Sequence, residues 1–164
     1  MKTDYRVRAE KLLRQIYPFI KDCNSPEKLR KVIWQYNTEH NANIIVHNGV
    51  SRCVLIYSDY VIKFDYGTAA VWAGGCEEEY VKYHDVIAPS PFRYLFAEIR
   101  KVIVNHKCFY IMPYVRGVGT SDWYWNNLTD EELKFIYSVT SDMHSGNYGC
   151  YGRKPKIVDY AMAS

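Results

Sequence analysis

The chain lacks the cysteine pattern of a stapled or zinc-bound domain. Its five cysteines, Cys23, Cys53, Cys76, Cys108 and Cys150, are widely spaced and odd in number, with no C-x-x-C pair. That excludes a disulfide framework or a four-ligand zinc site and leaves reduced thiols, as expected of a cytoplasmic protein. No stretch approaches the roughly 18 consecutive apolar residues of a membrane span, and no apolar run follows a charged start, so no membrane association is expected. Charge of one sign is also missing: 21 Lys and Arg stand against 18 Asp and Glu, a formal net charge of +3. The basic residues are dispersed, as Arg6, Arg8, Lys11 and Arg14 and then Lys28, Arg30 and Lys31. Their helical spacing suits solvated faces, and without a basic run a nucleic-acid partner is excluded. No internal repeat or low-complexity segment is present.

What remains is the composition of a folded domain, with 48% hydrophobic and 24% charged residues in 164. Sixteen tyrosines and four tryptophans supply large apolar bodies with polar tips, useful in a core and at a binding surface. Along the chain, Leu12, Leu13, Ile16, Tyr17 and Ile20 predict an amphipathic helix over 4–21, ending or breaking near Pro18. "NSPEKLRKVIWQYNTE" predicts a second, with Ser25 as N-cap, Pro26 at the first helical position and Glu27 in the first turn. Three β-rich runs follow, Asn43–His47, Arg52–Tyr57 and Tyr60–Asp65, separated by turn residues in "NGVS" and "SD" and read as an antiparallel meander. "CEEEYVKYHDVIAP" reads as a short helix ended by Pro89. Two more strands meet at "NHK" before Pro113 and Gly117. A helix capped by Thr129 comes next, then the loop "SDMHSGNYG", then a hairpin of Tyr148–Tyr151 and Lys156–Tyr160.

The candidate chemistry sits in that loop. Asp142 and Asn147 are five apart, a spacing that Asp122 and Asn127 share, so spacing alone decides nothing. Context does: the hairpin after Asn147 returns a second acid, Asp159, beside the loop. Asp142, Asn147 and Asp159 would form an oxygen-only cluster, which suits Mg²⁺ and phosphate oxygens. Phosphoryl transfer needs such positioned charge and a further cation for the phosphates. Lys63, in the middle of the apolar run "YVIKFD", offers one, and as a strand lysine it needs an anionic partner. Glu77, Glu78 and Glu79 are the candidates, at least two of them being a solvated first turn.

These elements, in this order, resemble the protein-kinase-like fold, in its minimal bacterial and phage members and its small-molecule kinases. "DMHSGN" is similar to the D-x-H-x-G-N loop of aminoglycoside- and choline-kinase-like proteins. "DYA" is similar to the D-F-G triplet, and "MPYVRG" to the linker that holds adenine. The resemblance covers roughly residues 43 to 164. It implies an α+β chain: a helical extension over 1–42, an antiparallel five-stranded N-lobe over 43–113, and a truncated, mostly helical C-lobe with a β-hairpin over 114–164.

The resemblance also implies roles. Lys63 would contact the α/β-phosphates of ATP. Glu79 would orient it, because Tyr83 and Val86 then fall four and seven residues later on the packed face, while Glu77 and Glu78 stay open. Asp142 would be the catalytic base, with Asn147 and Asp159 as Mg²⁺ ligands. Gly49 would lie over the phosphates, and Met112 and Tyr114 beside the adenine. Departures are Thr140-Ser141 in place of the His-Arg pair, Ala161 in place of the triplet's glycine, Gly49 as the lone phosphate-loop glycine, and no activation segment before Ser164. The implied function is an ATP/Mg²⁺-dependent kinase acting on a protein or small-molecule hydroxyl. The alternative is a catalytically inactive kinase-like module that binds nucleotide or a host protein.

Overall fold

In a computed structural model, residues 3–48, 52–65, 75–115, 123–140, 148–151 and 154–158 are described. Helix α1, Tyr5–Ile20, opens on Asp4, whose carboxylate accepts from the Arg6 backbone N–H at 2.8 Å. Ala9, Leu12, Leu13, Ile16 and Ile20 recur at three- and four-residue intervals and form its buried stripe. Of the two outcomes expected near Pro18, the helix is not interrupted there but ends two residues later, at Ile20. Pro18 sits in the last turn, where losing one amide donor leaves the helix able to close, and Lys21 N–H still reaches the Tyr17 carbonyl at 2.9 Å. Helix α2, Pro26–His40, has the Ser25 cap read from the sequence, the hydroxyl accepting from Lys28 N–H at 3.3 Å. It ends on Asn41 in the left-handed conformation, φ 50°.

Five strands follow: β1 Ile45–Asn48, β2 Arg52–Tyr57, β3 Tyr60–Asp65, β4 Arg100–Val104 and β5 Lys107–Pro113. They form one antiparallel sheet in the order β1-β2-β3-β5-β4. Tight turns set the register. Tyr57 pairs with Tyr60 around Ser58-Asp59, with Ser58 at φ 56°. Asn105 and His106, at φ 47° and 70°, make the two-residue β4–β5 turn with both positive φ values that match strand twist. β3 is the central strand and is buried from Tyr60 to Phe64, as its nearly continuous apolar run requires.

Register divides the sheet into two faces. Cys53 pairs with Phe64, Leu55 with Ile62, and Ile62 with Ile111, and these share a face with Phe109, Val102 and Val104. That face packs in one core with the buried stripe of α1 and with Leu29, Ile33 and Tyr36 of α2. Each such side chain contributes roughly 1.5–3 kcal/mol of transfer free energy. Phe109 joins the layers, its ring 5.3 Å from Phe64 and 6.1 Å from Tyr17. The N-terminal helices are therefore a layer on the sheet.

By internal contacts the chain divides into two compact units, residues 1–76 with 99–114, and residues 77–98 with 115–164. The first holds the sheet and α1 and α2. In the second, helix α3, Gly75–Lys82 (its first two residues belong to the first unit), runs into a π-helical turn, Tyr83–Ile87. A 3₁₀ turn, Arg93–Leu95, follows, then α4, Trp123–Asn126, and α5, Asp130–Val139. A hairpin pairs β6, Tyr148–Tyr151, with β7, Lys154–Ile157. This second strand starts two residues earlier than the sequence reading, because only residues 152–153 connect Tyr151 to Lys154. Ala97 N–H donates to the Ile157 carbonyl at 2.8 Å, anchoring β7 to the segment after α3.

The cap expected at Thr129 is present, as a capping box: its hydroxyl accepts from Glu132 N–H at 3.1 Å, and Glu132 Oε1 accepts from Thr129 N–H at 2.8 Å. The other oxygen of this buried carboxylate accepts from the Tyr94 hydroxyl at 2.5 Å. That hydrogen bond holds the Tyr94 phenol protonated and pushes its pKa up to about 12. A phenol whose pKa is raised on folding stabilises the fold below its unfolded value near 10, and the contribution is lost as pH climbs from there to about 12. Urea melts between pH 9 and pH 12 should therefore show a decline that Tyr94→Phe reduces.

Candidate phosphate-binding site

The face of the sheet opposite the α1–α2 core carries Lys63. Register places it across from Val54 on β2 and Tyr110 on β5, with Lys101 of β4 across from Tyr110. Lys63 is buried, 8% exposed, in the central strand among Val61, Ile62 and Phe64. An ammonium in that setting requires anionic or hydrogen-bonding compensation, since desolvating an uncompensated charge costs several kcal/mol. Arg52 and Asp65, paired at the ends of β2 and β3, share its face.

Helix α3 separates the three glutamates that the sequence left open. Glu78 is exposed and Glu77 half-buried, whereas Glu79 is 1% exposed. The reason given for Glu79 needs correction, however. Val86 is 47% exposed, and Ile87 is fully buried in its place. The covered row runs Cys76, Glu79, half-buried Tyr83 and Ile87, at steps of three, four and four residues, through the π-helical turn Tyr83–Ile87.

Met112 pairs with Val61 in β5 and is 1% exposed. Tyr114, 44% exposed, donates its backbone N–H to the Asp59 carbonyl at 2.9 Å, which fixes the residue after β5 to the β2–β3 turn. Gly49, Asp142, Asn147 and Asp159 lie outside the described residues. Among the described residues, no group of three or more His, Cys, Asp and Glu is placed to hold a metal ion.

No family model matches the chain, and no curated protein matches it in sequence. In structure it is similar to WbdD. In a co-crystal structure of WbdD with the kinase inhibitor LY294002, the TM-score is 0.44 at 16% identity, over 70% of this chain and 31% of WbdD. A second WbdD structure gives 0.46 at 15% identity, over 71% and 32%. The chain thus spans about a third of the length of WbdD. It is also similar to APH(2")-IIa in a ternary complex with streptomycin and ATP, with a TM-score of 0.47 at 11% identity, over 80% of this chain and 71% of that one. The order found, a meander of three strands, a helix, two more strands and then helices and a hairpin, is the α+β order expected from the sequence.

Lys82 is a residue that the sequence reading did not single out. Its Nζ donates to the Val139 carbonyl at 2.9 Å, at the C-terminal end of α5. A cation there satisfies an orphan carbonyl and opposes the negative end of the helix dipole. Burial lowers the Lys82 pKa. Val139 stands three residues before Asp142, so this contact fixes the point from which the candidate catalytic loop departs. A lysine in the last turn of a helix is ordinary in sequence, and nothing there indicates which distant carbonyl it caps.

Proposed function

We propose that the chain is an ATP-dependent phosphotransferase of protein-kinase-like type, acting on a protein or small-molecule hydroxyl. The observation that carries this reading is burial of two opposite charges of the required kinds: Lys63 at 8% in an apolar central strand and Glu79 at 1% on the helix that follows in sequence. A lysine and a glutamate are rarely buried without a task that compensates them. In this reading the Lys63 ammonium holds phosphate oxygens and Glu79 orients it. Met112 and Tyr114 flank the adenine, and Gly49 lies over the phosphates.

Asn147 and Asp159 offer an amide oxygen and a carboxylate, the hard oxygen donors that Mg²⁺ prefers, so the donor set fits that ion. Bound there, Mg²⁺ would neutralise charge on the phosphates. Asp142 accepts the proton of the attacking hydroxyl as its oxygen bonds to the γ-phosphorus. The bond from that phosphorus to the β–γ bridging oxygen breaks, and ADP leaves with the electron pair.

Melting in the presence of nucleotide tests the reading. Mg²⁺-ATP at a hundred times its Kd adds about 2.7 kcal/mol of stability, roughly a 5–10 °C rise in Tm for a chain of this size. Asp159→Ala and Lys63→Met are both expected to remove that rise. No shift in the unsubstituted chain would sink the nucleotide-binding reading. A shift without transfer to any acceptor would instead favour the inactive module that binds nucleotide or a host protein.

A further inference from the structure

A second pocket lies wholly within the first unit, on the helical side of the sheet, and the nucleotide reading does not use it. It has a volume of about 560 Å³. Such a volume lies within the range of small-molecule sites. Its walls come from α1, the last turns of α2 and the β2–β3 turn. Leu12, Ala42 and the rings of Tyr36, Tyr57 and Tyr60 form the apolar part, and Arg8, Lys11, Gln15, His40 and Ser58 the polar rim. His40 stacks on Tyr36 with ring centroids 4.1 Å apart, and Tyr57 meets Tyr60 edge-on at 6.0 Å, so aromatic groups fix two walls.

The polar groups form a donor set. Tyr60 is 2% exposed and Tyr36 6%, yet among the described residues no hydrogen bond reaches the hydroxyls of Tyr36, Tyr57 or Tyr60. The three hydroxyls line one cavity, where a ligand's oxygens could take up their donors. They also lie close together. Burial first, and then the electrostatic influence of Tyr57, raises the pKa of both Tyr36 and Tyr60, that of Tyr60 to about 12, so both stay protonated donors.

The charge is positive where it is unspent. Asp59, next to Ser58 in sequence, is held by Arg8 in a two-pronged pair at 2.8 and 2.9 Å. Lys11 is exposed and, among the described residues, has no ion-pair partner. A free ammonium beside three phenol donors and an apolar wall selects an anion attached to an apolar body.

We propose that this pocket binds a small organic anion, a ring bearing a carboxylate or phosphate. Its oxygens meet Lys11 and the tyrosine hydroxyls, and its ring lies against Leu12, Ala42 and the tyrosine faces. Neither the location nor the chemistry depends on nucleotide binding.

The test is titration of the full chain with phenyl phosphate and with benzoate, with phenol and inorganic phosphate as the ringed and the anionic halves alone. Isothermal calorimetry gives the affinity, and each titration is repeated with saturating Mg²⁺-ATP. At least one ringed anion should bind below about 1 mM, with each half about ten-fold weaker or worse, and the preferred anion identifies the head group. Lys11→Glu and Tyr57→Phe, which remove the charge and one hydroxyl while keeping an exposed helix position and a ring, should each weaken binding about ten-fold. Thermal melts confirm that both variants fold. The proposal is overturned if neither ringed anion binds by about 10 mM, if phenol binds as well as they do, or if both variants bind unchanged. Displacement by Mg²⁺-ATP would also overturn it, by moving the anion to the nucleotide site. Persistence of binding in a chain that ignores Mg²⁺-ATP would leave this site standing while the kinase reading fell.

Discussion

Asp142→Asn is expected to cut transfer of the γ-phosphate by about 10²–10⁴-fold while leaving the Mg²⁺-ATP melting shift intact. The substitution keeps size and hydrogen-bonding reach but removes the ability to take a proton from the acceptor hydroxyl. In the proposed step that hydroxyl must lose its proton as its oxygen bonds to phosphorus, and Asp142 is the residue assigned that task. Asp159→Ala acts on a different quantity, because it removes a carboxylate that contributes to nucleotide affinity. The two variants should therefore separate: Asp142→Asn loses rate and keeps binding, and Asp159→Ala loses both. Labelled-phosphate transfer read beside melting curves distinguishes them. Equal transfer by Asp142→Asn and the unsubstituted chain would remove Asp142 from the role of base, whatever nucleotide does to stability.

Much of this architecture was readable because local rules and global packing agree. Ser25-Pro26-Glu27 and Thr129 with Glu132 start helices where the sequence indicates. The two-residue turns at Ser58-Asp59 and Asn105-His106 join strands whose apolar residues alternate to match the faces. The apolar "YVIKFD" run reads as a strand, with Lys63 as its anomaly. What was not readable depended on tertiary terms. Pro18 left an interruption and an end both open, and the helix closes two residues past it. After Lys82 the buried position is Ile87 and not Val86; helical periodicity admits both, and packing chooses between them. Glu79 was chosen with Val86 as its packed neighbour and is nevertheless the buried glutamate, because it shares one helical row with Cys76, Tyr83 and Ile87. The location of the N-terminal helices was likewise open. Their stripes announce a buried face without saying what buries it, and the sheet supplies that partner.

That partnership has a measurable cost if broken. Phe109→Ala is expected to destabilise the chain by about 3–5 kcal/mol, by losing transfer free energy and leaving a cavity. The ring is fully buried and touches both layers, Phe64 on the neighbouring strand and Tyr17 on α1. Neither Leu12 nor Val102, which share this core but retain 8% and 6% exposure, sits so centrally. Against a typical total of about 5–15 kcal/mol the loss is large, and Tm should fall by roughly 6–20 °C. Ile103→Ala on adjacent β4 is the control: at 57% exposure its side chain faces water and should change stability by no more than about 0.5 kcal/mol. Urea midpoints at constant slope measure both. If Phe109→Ala cost as little as Ile103→Ala, α1 would not be docked on the sheet in solution. The anion pocket, whose walls are α1 and that same sheet's β2–β3 turn, would go with it.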